Sequence, residues 1–263
     1  MTLLTPKTLL VTALTALPLL AQAQTPEEQG LAIAVEADQR DEGWGDSEST
    51  MTMVLRNKHG QESVREMRNR SLEVDGDGDK SLIIFDQPKD VRGTALLTFS
   101  HKDGNDDQWL YLPALKRVKR IASNNKSGPF MGSEFAYEDI SSQEVEKYTY
   151  KFLREEPCGE LSCFVIERYP VDEKSGYTKQ ISWIDSSEYR AQKIDFYDRK
   201  KSHLKTLTFH DYSQYLDKHW RPARMEMVNL QTGKSTTLTF SDYAFQNGLS
   251  DKDFDQASLA RAR

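Results

Sequence analysis

Five histidines, His59, His101, His203, His210 and His219, are the side chains of this 263-residue chain best suited to proton transfer or metal ligation near neutral pH. They are scattered. None belongs to an H-E-x-x-H pattern or a close ligand pair; two fall in turn-like text and the others on polar strand faces or edges, so no metal site is expected. Ser123-Asn-Asn-Lys126 satisfies S-x-x-K, but the partner motifs of such acyl enzymes are missing, the segment is a polar loop, and no G-x-S-x-G occurs. Asp75-Gly-Asp77-Gly-Asp79 opens like a calcium loop with Asp86 in twelfth place. Its sixth position is Lys80 where the sharp turn needs glycine, and its flanks read as strands, which favours a hairpin turn. Acid, base and nucleophile do not converge, so neither an enzyme nor a cofactor is expected.

Cys158 and Cys163 lie in Glu155-Glu-Pro-Cys-Gly-Glu-Leu-Ser-Cys163 between two strand-like segments. A C-x4-C pattern across a glycine-containing turn can bring two Cβ atoms face to face at a hairpin end, and a disulfide is predicted there. A redox dithiol would show C-x-x-C at a helix start, and a metal site would need further ligands nearby. Lys116-Arg-Val-Lys-Arg120 is a basic cluster that could meet an anionic head group or an acidic partner, or form a solvated strand face. The chain as a whole is acidic, with 35 Lys+Arg against 41 Asp+Glu, which argues against binding nucleic acid through its phosphates.

The elements that would carry these residues begin with a leader. Lys7 precedes the apolar run from Thr8 to Leu20, and Ala21-Gln22-Ala23 supplies small residues in an A-x-A pattern. This reads as a signal peptide, residues 1–23, cleaved after Ala23 for export out of the cytoplasm, leaving 24–263 as one domain. Thr25 as N-cap, Pro26 at the first helical position and acids in the first turn predict a helix over 25–41, with Leu31, Ala34, Val35 and Asp38 as its stripe.

From Ser47 the pattern changes to period two, punctuated by turn signals such as Asn57-Lys-His-Gly60 and Lys102-Asp-Gly-Asn105. Besides this first strand, about eleven more are predicted, one of them covering residues 107–121. The fold class is therefore all-β with few helices, an antiparallel meander that curls wholly or partly into a barrel. Leu82-Ile-Ile-Phe85, Ala95-Leu-Leu-Thr-Phe99 and Gln108-Trp-Leu-Tyr-Leu112 are apolar on both faces, which predicts that each is covered twice. The stretch Ser123–Ile140 is too long for a hairpin turn and carries Phe130, Met131, Phe135 and Tyr137. It is either a lid over a cavity mouth or a plug in the core.

Trp109-Leu-Tyr-Leu-Pro-Ala-Leu-Lys-Arg-Val-Lys-Arg-Ile121, then Phe130-Met-Gly-Ser-Glu-Phe-Ala-Tyr-Glu-Asp139, resembles the outer-membrane lipoprotein-sorting family in its LolA-like branch. Phe85-Asp-Gln-Pro-Lys-Asp-Val-Arg-Gly-Thr94, Trp220-Arg-Pro222 and Asn229-Leu-Gln-Thr-Gly233 agree, so the resemblance spans most of the chain in order. It implies an incomplete, half-open antiparallel barrel whose apolar cavity, covered by helices, receives acyl chains. It further implies a periplasmic, non-catalytic carrier of lipid or lipoprotein acyl chains, soluble with only transient membrane contact, working beside an inner-membrane RND-type exporter and expected to be a monomer. On this reading Leu97, Phe99, Trp109, Tyr111, Phe130, Met131 and Phe135 are cavity or lid residues, and Arg117 and Arg120 contact a head group or partner. The alternative is a non-carrying periplasmic adaptor of a transporter, with a filled barrel interior and an exposed docking patch around residues 116–140.

Overall fold

The computed structural model describes residues 24–261; the leader expected at 1–23 lies outside the described residues. Helix α1 (Pro26–Asp41) starts as predicted: the Thr25 hydroxyl accepts from the Glu28 N–H, the Glu28 carboxylate accepts from the Thr25 N–H, and Pro26 opens the first turn. Its buried face is not the predicted stripe. Ile33 is buried and Leu31 is 45% exposed, because the helix is seated on Gly30. A Cβ on Gly30 would stand 2.7 Å from the backbone nitrogen of Phe152, so only glycine permits this close a crossing.

Thirteen strands follow: β1 (Asp46–Arg56), β2 (Glu62–Leu72), β3 (Lys80–Gln87), β4 (Ala95–Phe99), β5 (Asp107–Leu112), β6 (Arg117–Ile121), β7 (Tyr148–Cys158), β8 (Leu161–Pro170), β9 (Tyr177–Asp185), β10 (Ala191–Asp198), β11 (His203–Tyr215), β12 (His219–Asn229) and β13 (Ser235–Phe245). All belong to one antiparallel sheet in the order β6-β5-β4-β3-β2-β1-β13-β12-β11-β10-β9-β8-β7, which does not close into a barrel. Two meanders are thus joined at their middle by the β1–β13 pair, and β6 and β7, consecutive in the chain, form the two edges.

The predicted strand over 107–121 is two strands. Pro113, which has no N–H to give a ladder, opens a 3₁₀ turn (Pro113–Leu115), and Lys116 follows with φ of 46°. The Asp75–Asp79 segment forms the β2–β3 turn, where Asp77 accepts hydrogen bonds from the His101 ring (2.8 Å) and the Lys102 N–H (2.9 Å). Cys158 and Cys163 form the predicted disulfide at the tip of the β7–β8 hairpin, with Cα atoms 5.8 Å apart.

Alternation within the register assigns the two faces. Ile83, Phe85, Leu96 and Leu110 point to the concave side and join the main core; Leu82, Ile84, Leu97 and Tyr111 point to the other side. That outer face is covered by Phe254 and Leu259 of the C-terminal segment. β3, β4 and β5 are therefore apolar on both sides because both sides are covered.

Candidate functional site

The concave face is rich in methionine. Of the seven methionines in the chain, Met51, Met53, Met67 and Met227 belong to its buried core, with Met131 and Met225 packed against it. They meet through the ladders: Met51 stands opposite Met67, Met67 opposite Phe85, Met53 opposite Leu238, and Met225 and Met227 opposite Phe209 and Leu207. Met51, Met53, Met67 and Met227 are 0–3% exposed and form packed core; methionine is unbranched, flexible and polarizable, so a core built from it can repack around apolar groups of different shapes.

Residues 122–147 connect the two sheet edges and must therefore cross the open side of the curled sheet. This strap is made of short 3₁₀ turns, among them Phe130–Gly132 and Tyr137–Asp139. Phe130 and Phe135 are 0% and 1% exposed, and the Phe130 ring centroid lies 5.8 Å from that of Phe85. The strap end of the concave face is thus filled by the chain itself. Polar contacts pin the strap to both meanders. From the first, Arg65 Nη1 donates to the Met131 carbonyl (2.5 Å) and Gln108 Nε2 to the Tyr137 carbonyl (3.0 Å). From the second, Lys205 Nζ donates to Asp139 Oδ2 (2.6 Å) and the Glu134 carbonyl (2.8 Å), and Asn229 Nδ2 to Glu134 Oε2 (2.7 Å).

The Lys205 and Asp139 side chains are each 4% exposed. Such a pair is tolerated because Asp139 also accepts from the Tyr177 hydroxyl (2.8 Å) and the Ala136 N–H (2.6 Å). Burial, followed by the negative charge of Asp139 and Glu138, holds the Tyr177 hydroxyl well above its usual pKa.

The opposite end is open. Around the C-terminal end of α1 two cavities adjoin, sharing Asp41, Trp44, Asp79 and Lys218. One, of about 620 Å3, is walled by Phe209, Tyr212, Trp220 and Pro222 together with Arg40, Arg190 and Arg221. The other, of about 650 Å3, is lined mainly by carboxylates. Both volumes fall within the range of small-molecule sites. The arginines stack on rings, Arg40 at 4.3 Å from the Tyr189 centroid and Arg190 at 4.5 Å from that of Trp220. They are also charge-paired, Arg190 with Asp185 (2.8 Å) and Arg221 with Asp41 (2.5 Å).

The seven residues expected to form one cavity or lid are divided by the sheet. Phe130, Met131 and Phe135 lie on the concave side, where Phe130 and Phe135 act as a plug rather than a lid. Leu97, Phe99, Trp109 and Tyr111 lie on the outer face under the C-terminal segment, with the Phe99 and Trp109 rings 5.2 Å apart. A one-residue step along a strand changes the face, and strands apolar on both sides give no sign of which face is concave. Arg117 and Arg120 are exposed on edge strand β6, and Arg120 pairs with Asp107. Charges there also discourage pairing of the edge with another chain. The core methionines other than Met131, together with Lys205, Asp139 and the acidic cavity, are absent from the site residues that the sequence singles out. The repeats Met51-Thr-Met53 and Met225-Glu-Met227 carried a period-two signal for the first of these.

The fold has close counterparts. An outer membrane lipoprotein-sorting protein domain from Vibrio parahaemolyticus is 60% identical, covers 89% of this chain over 100% of its own, and superposes with a TM-score of 0.88. The chain belongs to the outer membrane lipoprotein-sorting protein family. A DUF1329 family protein from Desulfovibrio piger is 31% identical over 90% of this chain and 100% of its own, with a TM-score of 0.85. A LolA superfamily protein from Nitrosomonas europaea, 22% identical over 89% of this chain and 99% of its own, shares the fold with a TM-score of 0.70. A family model described as "-like: Uncharacterized protein" matches residues 77–261. Comparison with curated proteins finds no match.

Proposed function

We propose that this protein is a non-catalytic periplasmic carrier that holds lipid or lipoprotein acyl chains against the methionine-rich concave face and shuttles them between membranes. The observation that carries this reading is the unclosed sheet itself, whose apolar face is covered at one end only by a strap of 3₁₀ turns and bordered at the other by cavities. Its membership in a lipoprotein-sorting family supports it. Each buried methylene contributes about 0.8 kcal/mol, so one long acyl chain supplies enough for micromolar binding after the losses of ordering. Among the described residues no helix is long and apolar enough to cross a membrane. The proposal includes export after cleavage behind Ala23, one domain over 24–263, a monomeric state, and cargo exchange with an inner-membrane RND-type exporter.

A second reading is an adaptor that docks on a transporter and carries nothing. The filled strap end and the exposed basic edge of β6 favour it. Native mass spectrometry of the exported protein, purified without detergent and followed by organic extraction, separates the two. A stoichiometric amphiphile is the result expected of the carrier. Empty protein that also refuses added phospholipid and lipopeptide overturns it in favour of the adaptor.

A further inference from the structure

We propose that the acidic cavity at the end of α1 binds the cationic amine of an amphiphile whose hydrocarbon part occupies the adjoining aromatic cavity. This deepens the carrier reading and rests on it.

Three of the carboxylates around the 650 Å3 cavity already have partners. Glu73 accepts from the Gly43 and Gly45 N–H groups (2.6 and 2.7 Å), Asp77 from His101 and the Lys102 N–H, and Asp41 is paired with Arg221. Of the five that remain, Glu42 and Asp75 are exposed to solvent, which leaves Asp38, Asp79 and Glu144 as the unpaired carboxylates withdrawn from it. Asp79 accepts one long hydrogen bond, from the Val74 N–H at 3.3 Å. Glu144, only 6% exposed, has no hydrogen-bond donor or cation on its carboxylate among the described residues. Lys102 and Lys218 also line the space, yet neither forms an ion pair with any of these three; Lys218 Nζ is engaged by the Glu42 carbonyl.

A carboxylate withdrawn from water without a partner is costly, and neighbours of like charge add to the cost. The consequence is visible on both sides of Glu144. Burial, then the charge of Glu144, lifts the Asp79 carboxyl to about 7 and raises that of Asp38. A cation placed among the three would relieve all of them at once. The described residues contain no group of three such ligands close enough to hold a metal ion, so the carboxylates ring a volume rather than a point. An organic ammonium, which can hydrogen-bond one or two carboxylates and act on the third through its charge, suits such a ring. Trp44 and Asp79 also line the second cavity, whose far wall is Phe209, Tyr212 and Trp220, so an alkyl chain leaving the amine has an aromatic path ahead of it.

The test compares three probes of equal chain length, dodecylamine, dodecanol and dodecanoate, titrated into the exported protein at pH 8 and followed by calorimetry. The amine should bind about tenfold more tightly than the alcohol, with dodecanoate the weakest. Glu144→Gln and Asp79→Asn should each remove most of the amine preference while leaving dodecanol binding unchanged. Should Glu144→Gln not fold, Asp38→Asn replaces it with the same expectation. Equal affinity for amine and alcohol, tighter binding of calcium than of the amine, or an amine preference that survives in the Glu144→Gln/Asp79→Asn double variant overturns the inference. If dodecanol binds without an amine preference, only this inference falls; if none of the three binds, the carrier reading falls with it.

Discussion

At the strap end of the concave face, Phe130 and Phe135 are enclosed and Asp139 receives three hydrogen bonds, whereas at the α1 end Glu144 faces a cavity with none. The two ends share one sheet and one continuous face. What separates them is how closely the covering segments pack on the sheet. Residues 130–139 of the strap pack against Phe85 and the methionines and give Asp139 its partners, whereas further along the same strap Glu144 and the buried Ser141 hydroxyl have none. A rigid helix seated on Gly30 bridges the other end at a fixed height and leaves room beneath its C-terminal turn. The first arrangement stabilises the fold; the second leaves unpaired charge and space that a ligand can use.

Substitutions at the two ends should therefore differ in sign. Asp139→Ala, which leaves Lys205 buried and unpaired, should cost about 3–5 kcal/mol in denaturant unfolding, and the comparison breaks if the loss is that of a surface pair. Phe130→Ala should cost about 3–5 kcal/mol by opening a cavity next to Phe85 and Tyr137. A polar residue at Phe130 or Phe135 would act first on stability, so binding by such variants is informative only after their folding is verified. Met227→Leu nearly conserves volume and should cost less than about 1.5 kcal/mol; calorimetric melting checks it.

At the α1 end the direction reverses. The folded pKa of Asp79, about 7, lies above its ordinary value of 3.8, so between those pH values the folded protein holds a proton that the unfolded chain has released. Stability from this group is highest near pH 4 and below, and falls as pH rises through 7. Asp79→Asn should accordingly stabilise the protein at pH 8 by about 1 kcal/mol after solvent screening, and do so hardly at all at pH 4. An equal effect at both pH values would show that the carboxylate is not under strain. Glu144→Gln should give the smallest change, within about 0.5 kcal/mol and towards greater stability; a marked loss in thermal melts would mean that Glu144 supports the fold.

Local text made much of the fold legible. Thr25, Pro26 and Glu28 mark the start of α1, turn residues mark the hairpins, Cys158 and Cys163 predict their own bridge, and period-two runs set most strand limits. These signals are readable because each depends on contacts within a few residues of chain. Pro113 was also readable in principle, since a proline cannot serve a ladder from the middle of a strand; the unbroken apolar pattern around it concealed the break. The candidate site was legible only in part. Phe130, Met131 and Phe135 stand out as apolar residues in a non-strand segment, whereas Leu97, Phe99, Trp109 and Tyr111 carry the same apolar signal although the sheet places them on its other face.

The sequence by itself determined the elements, their antiparallel order within each meander and the disulfide, because propensity, turn chemistry and alternation act locally. Only the tertiary structure decided that β1 pairs with β13, that β6 and β7 become the edges, and that the connection between them must cross the open side. It also decided which apolar face is concave, and brought Asp38, Asp79 and Glu144 around one cavity from three separate parts of the chain. Pairing distant strands and assembling charges across a sheet depend on long-range packing, and no neighbouring residue in the sequence records it.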